Sequence, residues 1–131
     1  MILPALVGIA LGISIVLIMI VAGLFRENGA TAMLVAAVAA FYPVFAVQAE
    51  ASLLVIALHI AVFAAFVASA IWGFHKGLRP LAILLMAHGG FDAVTLYAGH
   101  PGPVWWPAFC AGLDIAAGGA ILVYLSKRTS A

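Results

Sequence analysis

Five long apolar runs leave this chain almost no choice of fold. The hydrocarbon of a bilayer is about 30 Å thick, and about 20 apolar residues wound as a helix cross it. Runs of that kind cover 2–25, 30–48, 50–74, 80–98 and 105–126, which predicts five transmembrane helices. In lipid each backbone N–H and C=O must be paired inside the protein, and a helix does this within its own turns. The breaks between runs have local causes. RENG (26–29) supplies charge and a glycine, HKGLRP (75–80) adds a proline at the next helix start, and GHPGPVWWP (99–107) is rich in Gly and Pro. The break near 48–50 is the thinnest, since only Pro43, Gln48 and Glu50 mark it. Only 7% of the residues are charged and 68% are hydrophobic. A soluble domain carries roughly 25% charged residues. The expectation is one domain over 1–131, an all-α polytopic membrane bundle in contact with the lipid bilayer.

The basic residues give the expected orientation. With five spans, Arg26, Lys76, Arg79, Lys127 and Arg128 fall on one side, and they are all five of the chain's Lys and Arg residues. By the positive-inside rule that side is cytoplasmic, so the N-terminus is outside and the C-terminus inside the plasma (inner) membrane. A four-span reading would scatter these charges over both faces. Trp105 and Trp106 then sit at the outer interface, where indoles favour the headgroup level. The first run is too long for a signal h-region, lacks a preceding basic residue and has no A-x-A-type site, so it reads as a membrane helix. A net charge of +1 gives no reason to expect a nucleic-acid partner. Cys110 is the only cysteine, which excludes an intrachain disulfide. No internal repeat, phosphate loop or dinucleotide fingerprint is present.

Small residues recur at helical spacing: Gly8 and Gly12, Ala36 and Ala40, then Gly112, Ala116 and Ala120. Such faces let helices approach closely in lipid, within the bundle or across a homodimer.

Against this background the ionisable residues of the last three spans stand out. At about 1.5 Å per residue, His59 lies roughly 13 Å below the start of its span. Asp92 and His88 lie roughly 9 and 15 Å below the outer end of theirs, and Cys110 and Asp114 roughly 5 and 10 Å into the last span. All fall in the outer half. His88, Asp92 and Thr95 are spaced i, i+4, i+7 and share a helix face, as do Cys110 and Asp114. Glu50, nine residues before His59, is expected at the pocket mouth and the helix N-terminus, where a carboxylate suits the dipole. Carboxylates in mid-bilayer cost about 2.5–3.5 kcal/mol each even on a lenient scale, so they face the interior and have partners. His88, Asp92, Asp114 and Glu50 are therefore the candidate catalytic residues. His88, Asp92 and Asp114 are also candidate ligands of a divalent metal, since imidazole with carboxylates suits Zn, Fe or Mn. Gly89 and Gly90 would allow close approach of a backbone or a substrate. His59, His75, His100, Tyr42, Tyr97 and Cys110 read more simply as packing, interfacial or loop residues.

The stretch LLMAHGGFDAVTLYAGHPG followed by FCAGLD resembles a bacterial family of small multi-span membrane proteins with no established activity. Its pattern is an H-x-G-x-D helix, a short proline loop and a C-x-x-x-D helix, with a Glu at the start of the middle helix. The resemblance marks His88, Gly90, Asp92, Cys110, Asp114 and Glu50, and it covers spans 3 to 5. Where that family often has a histidine shortly after the Asp, this chain has Thr95 and Leu96, which counts against a histidine-rich metal site. Three classes stay open: a metal-dependent or acid/base enzyme on a lipophilic small molecule, a proton-coupled transporter or ion-binding protein, and a structural or accessory subunit.

Overall fold

The computed structural model describes residues 1–130, and all five apolar runs are helical. In chain order the helices are α1 (Ile2–Val21), α2 (Gly29–Ala39), α3 (Phe41–Gln48), α4 (Leu53–Lys76), α5 (Leu78–Ala98) and α6 (Trp106–Thr129). A single 3₁₀ turn, Leu24–Arg26, follows α1. No strand occurs among the described residues. The second span, Gly29–Gln48, is the pair α2 and α3, so five stretches are long and apolar enough to cross a membrane. The fold is an all-α helix bundle.

Four boundaries differ from the sequence expectation, each for a local reason. The first helix stops at Val21, because Gly23 turns left-handed (φ 70°) and leads into the 3₁₀ turn. The second span is interrupted at Ala40, where the ring of Pro43 meets the carbonyl four residues back and removes a ladder donor. The third begins at Leu53 rather than at 50, since Ser52 is extended and its Oγ accepts from the Val55 N–H. The loop expected at 75–80 shrinks to Gly77, whose φ of 116° only glycine adopts easily. Pro80 sits in the first turn of α5, where no N–H is needed.

With this element order, Arg26, Lys76, Arg79, Lys127 and Arg128 gather at one end of the bundle, the basic end. The interior divides along the same axis. Toward the basic end, Val16, Met19, Val35, Val38, Leu81, Leu85, Ala117 and Ile121 form an apolar core. Toward the other end the buried set contains Tyr42, His88, Asp92, Thr95 and Asp114. Every buried ionisable group lies in that second half.

Helix α6 packs on both α1 and α5. Lipid tails are as apolar as the side chains, so these contacts depend on close packing rather than on escape from water. Gly8 and Gly12 of α1 lie against the Phe109 and Leu113 carbonyls, and Gly112 of α6 lies against the Ala5 carbonyl. A Cβ at any of the three would run into backbone. By contrast, α4 hangs at the edge: only 6% of its most apolar window is buried. Replacing Gly12 with Leu is expected to destabilise the bundle by about 1–3 kcal/mol or more, the usual cost of overpacking. The comparison is Gly119→Ala, where nothing lies within 4 Å of a new Cβ; thermal unfolding in detergent should show a clear drop for the first and none for the second.

Candidate metal centre

Helix periodicity puts His88, Asp92 and Thr95 on one face of α5, and that face meets Asp114 of α6. Gly89 permits the meeting. A Cβ there would stand 3.2 Å from the Asp114 Cβ and 2.8 Å from an Ile115 side-chain carbon. Gly90, the other glycine of the pair, faces open space and contributes nothing to this contact.

His88 Nδ1 is 2.7 Å from Asp114 Oδ2, within hydrogen-bond geometry, and 3.2 Å from Asp92 Oδ2, out of line for a hydrogen bond. Nδ1 thus hydrogen-bonds Asp114 on the facing helix and stands within ion-pair distance of Asp92, four residues on along its own helix. All three side chains are at most 1% exposed. Their ligand atoms lie within 4.8 Å of one another, a spacing that fits one metal ion. Asp92 Oδ2 and Asp114 Oδ1 are buried and have no hydrogen-bond partner. Buried acceptors are nearly always paired in native proteins, so these two oxygens beside one histidine leave room for a water or an ion to satisfy them.

The other Asp92 oxygen is held. Tyr42 of α3 donates its O–H to Asp92 Oδ1 at 2.7 Å, and its oxygen lies 2.9 Å from Thr95 Oγ1. Thr95 Oγ1 is also 2.9 Å from the Asp92 carbonyl, to which it can donate. The three groups admit two proton arrangements. With Asp92 ionised, Tyr42 donates to it. With Asp92 protonated, the carboxyl can donate to Tyr42, Tyr42 to Thr95, and Thr95 to the backbone carbonyl. The Tyr42 ring is 2% exposed and lies parallel to His59 with centroids 5.4 Å apart, and Phe91 meets it edge-on. Phe66 and Phe91 flank His88 in turn, at 4.9 and 6.0 Å between centroids.

Tyr42 is the site residue that sequence reasoning assigned to packing. It lies six residues from the end of its span, in the same layer as Asp92, and that depth was the available signal. His59 enters as the ring stacked on Tyr42, apart from the carboxylates. Cys110 is buried one turn before Asp114, with its thiol free. Glu50 stands apart from the other three candidates. It is exposed, precedes α4 instead of opening it, and occupies the left-handed position (φ 50°) of the α3 C-terminus. There Ala51 N–H bonds the Ala46 carbonyl and Glu50 N–H the Val47 carbonyl, the paired bonds of a Schellman stop.

Between α4 and α5 a groove of about 490 Å³ reaches this region. Its walls include Val55, Leu58, Val62 and Phe91, with His59, Thr95 and His100 as the polar groups. Phe91 and Thr95 therefore face the groove on one side and the buried network on the other.

The arrangement defines a class: a multi-pass helical membrane protein with a buried histidine–dicarboxylate cluster. Comparison with protein-family models, curated proteins and solved structures finds no match to the chain.

Two substitutions separate the network from the turn. Tyr42→Phe leaves Asp92 Oδ1 bare and is expected to cost about 1–3 kcal/mol in denaturant unfolding, while Thr95→Val, which leaves the Tyr42–Asp92 bond intact, costs less. Glu50→Gly relieves a left-handed backbone that costs an L-residue about 1–2 kcal/mol, so its unfolding midpoint should hold or rise; a fall would mean that the Glu50 side chain holds a contact of its own.

Proposed function

We propose that this protein is a small plasma-membrane enzyme whose centre is a divalent metal ion held by His88, Asp92 and Asp114, acting on a lipophilic molecule. The observation that carries this reading is the cluster itself: three ligand atoms within 4.8 Å, fully buried, with two carboxylate oxygens unpartnered. Charge points the same way. With both carboxylates ionised, an imidazolium leaves a net negative charge in the hydrocarbon layer, whereas a divalent ion with a neutral imidazole sums to zero and leaves neither carboxylate to be protonated. Removing uncompensated charge from such a medium is worth several kcal/mol. Three protein ligands also leave a coordination position for water or substrate, the pattern of catalytic rather than structural sites.

Within the chain, His88 binds through Nδ1, the atom nearest both carboxylates. Asp92 and Asp114 supply negative charge, and Tyr42 orients Asp92 by its hydrogen bond while leaving the other oxygen free. Phe66 and Phe91 keep the surroundings dry, which strengthens every electrostatic interaction inside. The Tyr42–Thr95 pair can store or pass a proton to Asp92 by reversing its hydrogen bonds.

The competing classes fit less well. A carrier needs polar surface on both sides of a midplane site, yet the half toward the basic end is an apolar core. A purely structural pair would be served by a closed hydrogen-bond network, and this one leaves two acceptors open. The basic end is the cytoplasmic one in this reading, so the metal centre lies in the outer half of the membrane. The residues that carry the family resemblance include the three that the fold brings together.

The test is metal content and affinity. Protein purified in detergent and dialysed against zinc or manganese is expected to retain about one ion per chain. His88→Leu and Asp114→Asn should fall to the background of the Asp92→Asn/Asp114→Asn double variant, while Glu50→Gln stays at the wild-type value. Equal uptake by wild type and the double variant would falsify the metal centre.

A further inference from the structure

At the basic end of the bundle a small groove is lined by two arginines that are a hundred positions apart in the chain. Arg26 comes from the 3₁₀ turn after α1, and Arg128 from the last turn of α6. The packing of α1 on α6 brings them together. Each side chain lies along another residue of the same groove. The Nε of Arg26 is 3.7 Å from where a Cβ on Gly23 would stand, so the side chain folds back over that left-handed glycine. The Arg128 guanidinium carbon is 5.6 Å from the centroid of the Tyr124 ring, and its Nη1 donates to Tyr124 Oη at 3.3 Å. Tyr124 in turn rests on buried Phe25, with ring centroids 5.2 Å apart. Both arginines are exposed, yet each is laid against the groove's own wall.

Their charge is not neutralised nearby. Among the described residues neither arginine forms an ion pair. Glu27, the only acidic side chain at this end, lines an adjoining groove with Arg26 and takes no part in this one. A guanidinium stays protonated at physiological pH and offers a planar fork of N–H donors that matches phosphate oxygens. Two such forks on one groove, with no acid between them, select an anion with several acceptor oxygens.

The apolar wall shows where that anion comes from. It consists of Ile20 and Val21, the end of a membrane span. Leu17 and Ile18, four and three residues before Val21, share its face of α1 and are exposed as it is. An aliphatic strip thus leads out of the hydrocarbon to the two arginines. The volume, about 300 Å³, is at the lower limit of small-molecule pockets and suits a headgroup rather than a whole lipid. A free phosphate would use the arginines and leave the strip without a role.

We propose that this groove binds one anionic phospholipid from the leaflet at the basic end. Its phosphate sits between Arg26 and Arg128, and one acyl chain runs along Val21, Ile18 and Leu17. The site is separate from the His88 cluster and stands whether or not that cluster holds a metal. A lipid gripped by both arginines ties the exit of α1 to the end of α6.

Native mass spectrometry of the intact chain in detergent tests this, with dioleoylphosphatidylglycerol and dioleoylphosphatidylcholine as probes and inorganic phosphate as competitor. In about 0.15 M ammonium acetate, exposed charges more than about 8 Å apart are largely screened, which separates a contact in the groove from the general positive field. One phosphatidylglycerol per chain is expected, with phosphatidylcholine at least about fivefold weaker. Arg26→Gln and Arg128→Gln should each lose about fivefold in affinity for phosphatidylglycerol, the weight of one interfacial basic residue. Lys127→Gln removes the neighbouring charge without altering the groove's lining and should lose less than about twofold. Thermal unfolding of each variant without added lipid reports that the bundle is intact. Equal binding of the two lipids, or a loss in Lys127→Gln as large as in the arginine variants, overturns the proposal. Displacement of phosphatidylglycerol by equimolar inorganic phosphate also overturns it, because the groove would then hold a free anion. Losses confined to the two arginine variants, with phosphate ineffective, establish the lipid site.

Discussion

The contact between His88 and the two carboxylates is the interaction around which the half of this bundle away from the basic end is arranged. It joins α5 to α6 through Asp114 at 2.7 Å and draws in α3 through Tyr42 and Asp92. In a medium without water, each of these groups would be costly alone. Together they are tolerable only if the helices hold them in register, and the small residues do that. Gly89 lets α5 close on Asp114, while Gly8, Gly12 and Gly112 let α1 press against α6 from the other side. The polar cluster and the glycine faces are thus one device: the first supplies a reason for fixed register and the second makes it attainable.

The bundle is built in two storeys. Toward the basic end, Leu81, Leu85, Ala117 and Ile121 pack as an apolar plug, all fully buried. One to two turns further along the same two helices, at His88 and Asp114, the interior becomes ionisable. Access to the cluster from that end is closed by the plug, and the groove between α4 and α5 approaches it from the side. Within the bundle the aromatic rings Phe66 and Phe91 flank the site and cover His88.

Much of this was legible in the sequence because membrane physics is restrictive. The five helices followed from the apolar runs, and the common layer of His88, Asp92 and Asp114 followed from helical rise. The i, i+4 spacing placed His88 and Asp92 on one face, but only the packing of α5 on α6 showed that Asp114 makes the shorter contact. Tyr42 was hidden because a tyrosine in a span is usually an interfacial aromatic, and its partners lie about 50 residues away in sequence. The boundary at 50 was missed because Glu50 stands at a left-handed helix stop, where glycine is the usual signal. Ser52, an ordinary N-cap, was the better marker.

Gly77 bears on how the protein is made. It is the sole residue between α4 and α5, so these helices leave the ribosome as a hairpin with almost no loop. The sequence of α4 is strongly apolar, whereas α5 carries His88 and Asp92 and is the least apolar of the five spans. Presented alone, α5 would meet the membrane with His88 lacking its hydrogen-bond partner, since Asp114 is synthesised later. Joined through one glycine, it enters alongside α4, whose favourable partitioning offsets the cost until α6 arrives. A longer, more flexible connection would leave α5 to insert by itself, so the shortness of this turn serves biogenesis as much as the finished architecture.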